Sequence, residues 1–229
     1  MSLRFPITLV LSIICLTVPA WADFETGMDA YERGNYATAL SEWRPLAEEG
    51  NAQAQLHLGM LYHQARGVPQ DSTTAREWYE KAAAQGNAWA RVQLGQLYAN
   101  GDGVPQDYAK AREWYEKSAA QGYARAQSNL GSLYADGKGM PQDETKGAES
   151  IRKAAEQRDA NGQASLGEMY RDVRGVPQDD VQALMWFNLG AANGAKHGAA
   201  LRDALAKQMT PGQLAEAQTL AREWKPKNQ

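Results

Sequence analysis

Three histidines, His57, His63 and His197, are the side chains best suited to metal binding or proton transfer. His57 and His63 stand six residues apart, whereas a helix presents two imidazoles to one ion at a spacing of three or four. The chain has one cysteine, Cys15, and neither a His-x-x-x-His pair nor an acidic loop of the calcium type. No metal site is expected, and no cofactor. Nucleophilic catalysis needs a hydroxyl within reach of a base that a third group orients. Ser128, Ser132 and Ser165 lie at variable helix positions with no histidine recurring beside them. The clustered acids Glu77, Glu80, Glu113 and Glu116 alternate with Lys and Arg as on a solvated face, a poor setting for general-acid work. The residues therefore point away from catalysis and toward recognition.

The elements that would carry recognition follow from a repeat. Gly67-Val68-Pro69-Gln70-Asp71 recurs as Gly103 to Asp107, as Gly139 to Asp143 with Met140 in place of Val, and as Gly175 to Asp179, always 36 residues apart. A fixed period of that size marks units too small to bury a core alone, which stack into a solenoid. In the same register Leu58-Gly59, Leu94-Gly95, Leu130-Gly131 and Leu166-Gly167 are each followed by Tyr62, Tyr98, Tyr134 and Tyr170. Ala54, Leu58, Leu61 and Tyr62 fall at i, i+4, i+7 and i+8, the buried stripe of a first helix. A glycine in mid-helix costs about 1 kcal/mol against alanine, so its recurrence predicts a neighbouring helix backbone close by. Asn51, Asn87 and Asp159 are suited to cap the first helices. Proline breaks the chain in each connector, and Asp71, Asp107, Asp143 and Asp179 then cap a second helix. That helix buries Ala75, Trp78, Tyr79, Ala82 and Ala83, with Glu77 and Lys81 as an i, i+4 pair on the wet side. In the third of the four units Ser150 replaces the Trp of the others and Arg158 replaces a corner glycine. That joint is expected to be softer, repacked around Ile151, or pocketed.

Residues 1–22 read as a secretory signal: Arg4, an apolar stretch Phe5 to Val18, then Ala20-Trp21-Ala22 as the cleavage site. Fourteen residues interrupted by Pro6 and three hydroxyls fall short of the roughly 20 that span a bilayer. Cleavage would remove Cys15 and leave no disulfide, in a periplasmic or secreted location and without a stable membrane anchor. The net charge of -3, spread over alternating signs, offers no footprint for nucleic acid. Residues 23–50 read as a degenerate first helix pair with Pro45 inside its second helix, 51–194 as four repeats, and 195–229 as capping helices with a short tail. Thr210-Pro211-Gly212-Gln213 carries the pattern of a capping box.

Leu-Gly-x-x-Tyr, Gly-x-Gly-Val-Pro-Gln-Asp and Ala-x-x-Trp-Tyr-x-x-Ala-Ala together resemble the Sel-one-like repeat, a relative of the tetratricopeptide repeat. The resemblance covers Asn51 to Gly194. It implies an all-α, right-handed superhelical solenoid of antiparallel helix pairs whose first helices line a concave groove. Family members that are exported act as adaptors, so a protein or peptide partner is implied. The columns between the buried ones are expected to meet it: Gln53, Leu56, Met60 and His63; Trp89, Val92, Gln96 and Ala99; Arg125, Ser128, Ser132 and Ala135; Asn161, Ala164, Glu168 and Arg171. Trp89 stands out, because an exposed Trp beside Met60, Val92 and Arg125 has the composition of an interface centre. The family also includes cysteine-rich secreted members that bind or cleave beta-lactams, and a cell-envelope hydrolase acting on peptidoglycan or beta-lactams is the alternative reading. Disulfides staple those members, and this chain cannot make them.

Overall fold

The computed structural model describes residues 23–226, so the signal-sequence reading of residues 1–22 lies outside the described residues. Twelve helices occupy them, packed as sequential antiparallel pairs. An irregular pair, α1 (Phe24–Glu32) and α2 (Tyr36–Glu48), precedes the repeats, and α2 continues through Pro45. Four pairs follow: α3 (Ala52–His63) with α4 (Ser72–Ala84), α5 (Ala88–Asn100) with α6 (Tyr108–Ala119), α7 (Ala124–Asp136) with α8 (Glu144–Glu156), and α9 (Ala160–Asp172) with α10 (Asp180–Ala192). Helices α11 (Lys196–Ala206) and α12 (Pro211–Glu223) close the stack.

The connector owes its composition to two demands at once. Its glycines hold φ between +69° and +73°, a conformation that L side chains avoid. They also lie against the start of the preceding unit's second helix, where a Cβ on Gly175 would stand 2.1 Å from the Glu144 carbonyl oxygen. The aspartate amides close the connector onto the first helix, Asp71 N–H donating to the Tyr62 carbonyl at 3.0 Å and Asp107 N–H to that of Tyr98 at 2.8 Å. Gln70, Gln106 and Gln142 donate from Nε2 to the carbonyls of His63, Ala99 and Ala135, satisfying acceptors that the helix end leaves open. Asp71, Asp107, Asp143 and Asp179 then cap the second helices as expected.

Inside each pair the mid-helix glycine makes room for a ring or branched side chain. A Cβ on Gly59 would meet the Tyr79 ring at 2.6 Å, and one on Gly131 or Gly167 would meet Ile151 at 2.6 Å or Phe187 at 2.7 Å. The first thing encountered is thus a side chain of the partner helix rather than its backbone, though the Ala75 carbonyl oxygen follows at 3.1 Å. In the third of these four pairs, where Trp is missing, α7 and α8 close in on each other. A Cβ on either Gly131 or Gly147 would lie 2.9 Å from the other's carbonyl oxygen, and Ile151 fills the aromatic column while Ser150 Oγ donates to the Gln127 carbonyl. The joint is repacked around Ile151.

The expected Glu77–Lys81 pairing is replaced by another. Lys81 Nζ lies 3.8 Å from the centre of the Trp78 ring, and Lys117 repeats this over Trp114 at 4.4 Å. The i, i+4 ion pairs are instead Arg76–Glu80 and Arg112–Glu116. At the C-terminal end Thr210 and Gln213 complete the capping box, and α12 lays Trp224 edge-on against Trp186 with ring centres 5.7 Å apart. This covers the apolar surface that stacking would otherwise leave open.

Candidate functional site

Two adjoining cavities lie on the face formed by α3, α5 and α7, and Trp89 belongs to both. The first, of about 450 Å³, is floored by Leu56 and walled by Gln53, His57, Met60 and Asn87. The second, of about 390 Å³, is floored by Val92 and walled by Gln93, Gln96, Arg125, Gln157, Arg158 and Asp159. Tyr123 also lines both, its ring centre 6.2 Å from that of Trp89. Trp89 is 45% exposed, one of two large apolar side chains so exposed among the described residues.

Each wall residue is set by local chain geometry. Trp89 occupies the first turn of α5, whose N-cap Asn87 accepts from the Ala90 N–H. Tyr123 occupies the N-cap position of α7 and makes no side-chain cap bond, unlike Asn51, Asn87 and Asp159 at the corresponding starts. Arg158 sits at the corner before α9 with φ +67°, where the sister corners use Gly86, Gly122 and Gly194. Arg125 Nε lies 3.6 Å from Asp159 Oδ2, while Oδ1 of the same carboxylate caps α9 by accepting from the Gly162 N–H at 2.7 Å. Burial pushes the Tyr123 phenol up, against the pull of Arg125.

The expected groove columns divide on inspection. Gln53 and Met60 line the first cavity, and Gln96 and Arg125 line the second. Leu56, Val92 and Ser128 are buried rather than exposed, at 3%, 1% and 3%, and Ala135 and Ala164 are buried with them. The reason is that a first helix packs against its partner and against neighbouring units, so a second stripe is covered. Leu56 joins Tyr79, Ala90 and Leu94, and Val92 joins Tyr115, Ala126 and Leu130. Leu56 and Val92 therefore serve as cavity floor, whereas Ser128 is interior. Ser132 and Glu168 meet in a smaller cavity of about 180 Å³ with Ile151 and Arg174, where burial raises the Glu168 carboxyl and the His197 and Arg171 charges oppose it. His63 reaches toward Asp102 in the next unit, 3.8 Å away, and Asn161 is half-buried on α9 outside these cavities.

Sequence reasoning weighed one wall residue, His57, as a metal ligand and not as part of the groove. His57 lies under the first cavity in an aromatic nest, with ring centres of Trp43 at 4.8 Å and Phe24 at 5.4 Å. Burial brings its imidazole down to about 4, and Nδ1 has no hydrogen-bond partner. The hydroxyl behind the first cavity is engaged with backbone, Ser118 Oγ donating to the carbonyl of Ala88, which lines it. What the two cavities offer is aromatic surface, amides and two guanidinium groups, a set suited to holding a ligand.

Comparison with known proteins agrees with this architecture. The Sel1 repeat model matches residues 52–87, 90–123, 124–159 and 160–194. No curated relative matches the chain. Among solved structures, a Sel1 repeat protein from Oxalobacter formigenes is 27% identical, covers 86% of this chain and 85% of its own, and superposes with a TM-score of 0.66. The protein c5321, a protective antigen of uropathogenic Escherichia coli with the same fold, is 32% identical over 85% of this chain with a TM-score of 0.54. This chain spans about half of c5321, 51%. The immunity protein Pa5087 of Pseudomonas aeruginosa, 20% identical over 80% of this chain and 69% of its own with a TM-score of 0.54, shares the fold. With four matched units spread over more than half its length, and helix pairs stacked as in these relatives, the chain belongs to the Sel1 repeat family and is a helical repeat scaffold.

Proposed function

We propose that this scaffold is exported to the bacterial cell envelope and binds a protein or peptide through the face of α3, α5 and α7. The observation that carries the reading is a coincidence of three local costs at one place. Tyr123 gives up a helix cap worth about 1 kcal/mol. Arg158 takes a left-handed conformation at about 1–2 kcal/mol. Trp89 keeps a large apolar ring in water. All three line the second cavity, and the sister units avoid each cost with Asn or Asp caps, glycine corners, and Gln53, Arg125 or Asn161 in the Trp89 column. Departures from locally favoured choices gather where function requires them. A largely preformed site between packed helices loses little ordering entropy when an extended segment docks.

Site-specific photo-crosslinking tests this. A crosslinking residue at Gln53 or Gln96 should capture the same partner in intact cells, and one at Glu113 on the outer side should not. Trp89→Ala should abolish capture while leaving the thermal unfolding curve unchanged. Equal capture from both faces would refute the proposal.

A further inference from the structure

We infer that the bound segment is an acidic peptide, with an apolar side chain in the cavity of Leu56 and Met60 and a carboxylate in the cavity of Arg125 and Arg158. The inference rests on the binding role proposed above and specifies its chemistry. The two cavities share Trp89 and Tyr123 as a common wall, so neighbouring residues of one extended segment can enter both.

The first cavity is apolar at its floor and carries no charge: its imidazole, His57, is held neutral by burial, with Gln53 and Asn87 as the polar rim. The second gathers two guanidiniums in a chain whose net charge is -3. Asp159 meets Arg125 on one edge only, and its other oxygen is committed to the α9 cap. The Arg125 side chain stays 46% exposed. Arg158 is exposed and has neither ion pair nor side-chain hydrogen bond among the described residues. A Cβ at the sister corners, Gly86, Gly122 and Gly194, would meet nothing within 4 Å. Nothing in the packing therefore calls for a side chain at this corner, and the arginine is present against its backbone preference. Two forked donors beside an aromatic wall suit a planar carboxylate. The same donors would hold a phosphate, but the adjoining cavity has an apolar floor and no cationic side chain. That suits an apolar side chain and gives a repeating phosphate backbone no second contact, so the pair favours peptide over nucleic acid.

The test selects twelve-residue peptides from a random phage library against the purified chain, then measures synthetic versions by fluorescence anisotropy. Selected peptides should place Asp, Glu or a free C-terminal carboxylate next to an apolar residue. Converting that carboxylate to an amide should weaken binding about tenfold. Arg158→Gly should remove part of that factor and shrink the effect of the amide change, Arg125 keeping the rest, while the melting temperature holds or rises because glycine suits this corner. Trp89→Ala reports on the site itself. Peptides that depend on Trp89 but show no acidic preference, or an unaltered preference in Arg158→Gly, would overturn this inference and leave the binding role standing. Absence of any Trp89-dependent peptide would overturn both. A single-stranded oligothymidine bound more tightly than the selected peptides would overturn the peptide assignment.

Discussion

Acid should loosen the N-terminal end of the stack before the rest, through His57. Burial among Phe24, Trp43 and Tyr31 holds this imidazole at about 4 in the folded chain against 6.5 for an exposed histidine. The sign follows from linkage: above pH 6.5 both states are neutral there and the group contributes nothing. As the pH falls from 6.5 toward 4 the unfolded segment takes up a proton that the folded one refuses, so stability is lost, and below 4 the loss levels off. The full interval corresponds to about 3 kcal/mol, of which about 2 kcal/mol has gone by pH 5. In a solenoid such a loss opens the end unit rather than the whole chain. Hydrogen exchange read by mass spectrometry over residues 24–63, with 196–223 as internal reference, should show the opening constant of the first segment rising roughly 30-fold between pH 7.5 and pH 5 after correction for intrinsic rates. His57→Leu should remove that rise. An equal rise in wild type and variant would refute the reasoning, because the pH response would then belong to other groups.

Three further outcomes follow from packing. Tyr79 is fully buried with its hydroxyl unpaired, so Tyr79→Phe should leave stability unchanged or raise it by about 1 kcal/mol, read by urea unfolding. Gly59→Ala places a methyl 2.6 Å from the Tyr79 ring and should cost about 1–3 kcal/mol in the same assay. Val173 holds φ +59° and is 56% exposed at a helix end where the units before it use Gly101 and Gly137. Val173→Gly should therefore raise the stability of the C-terminal units by roughly 0.5–1 kcal/mol, the relieved strain less the added chain entropy.

The repeat register was legible because connectors, caps and core columns all recur at one spacing, and each has a local cause. Pro69, Pro105, Pro141 and Pro177 keep each connector out of a helix, and Asp107 caps α6 through its own neighbours. The burial of Leu56, Val92 and Ser128 was not legible, because a single-stripe reading suits a helix with one packed face, and the first helices are covered on two. The buried amides were hidden for a related reason. Gln55 and Gln163 donate to the Ala47 and Ala155 carbonyls and accept from Gln85 and Asn193, partners eight and thirty residues away. Trp89 was visible as an odd residue in its column. Its companions were visible only as exceptions, Arg158 in place of glycine and Tyr123 in place of a cap, and only the fold brings the three together.

The connectors divide labour within the sequence. Pitch between units is set by glycines at positive φ wedged against the preceding helix, and each connector is closed onto its own first helix by a backbone bond such as Asp71 N–H to the Tyr62 carbonyl. None of these contacts involves a side chain that faces the two cavities. A change at Gln53, Met60, Gln93 or Gln96 can therefore alter what is recognised without bending the frame that presents it. The molecule behaves as a fixed rack holding exchangeable contents, and a lineage can retarget it by single substitutions while every intermediate still folds.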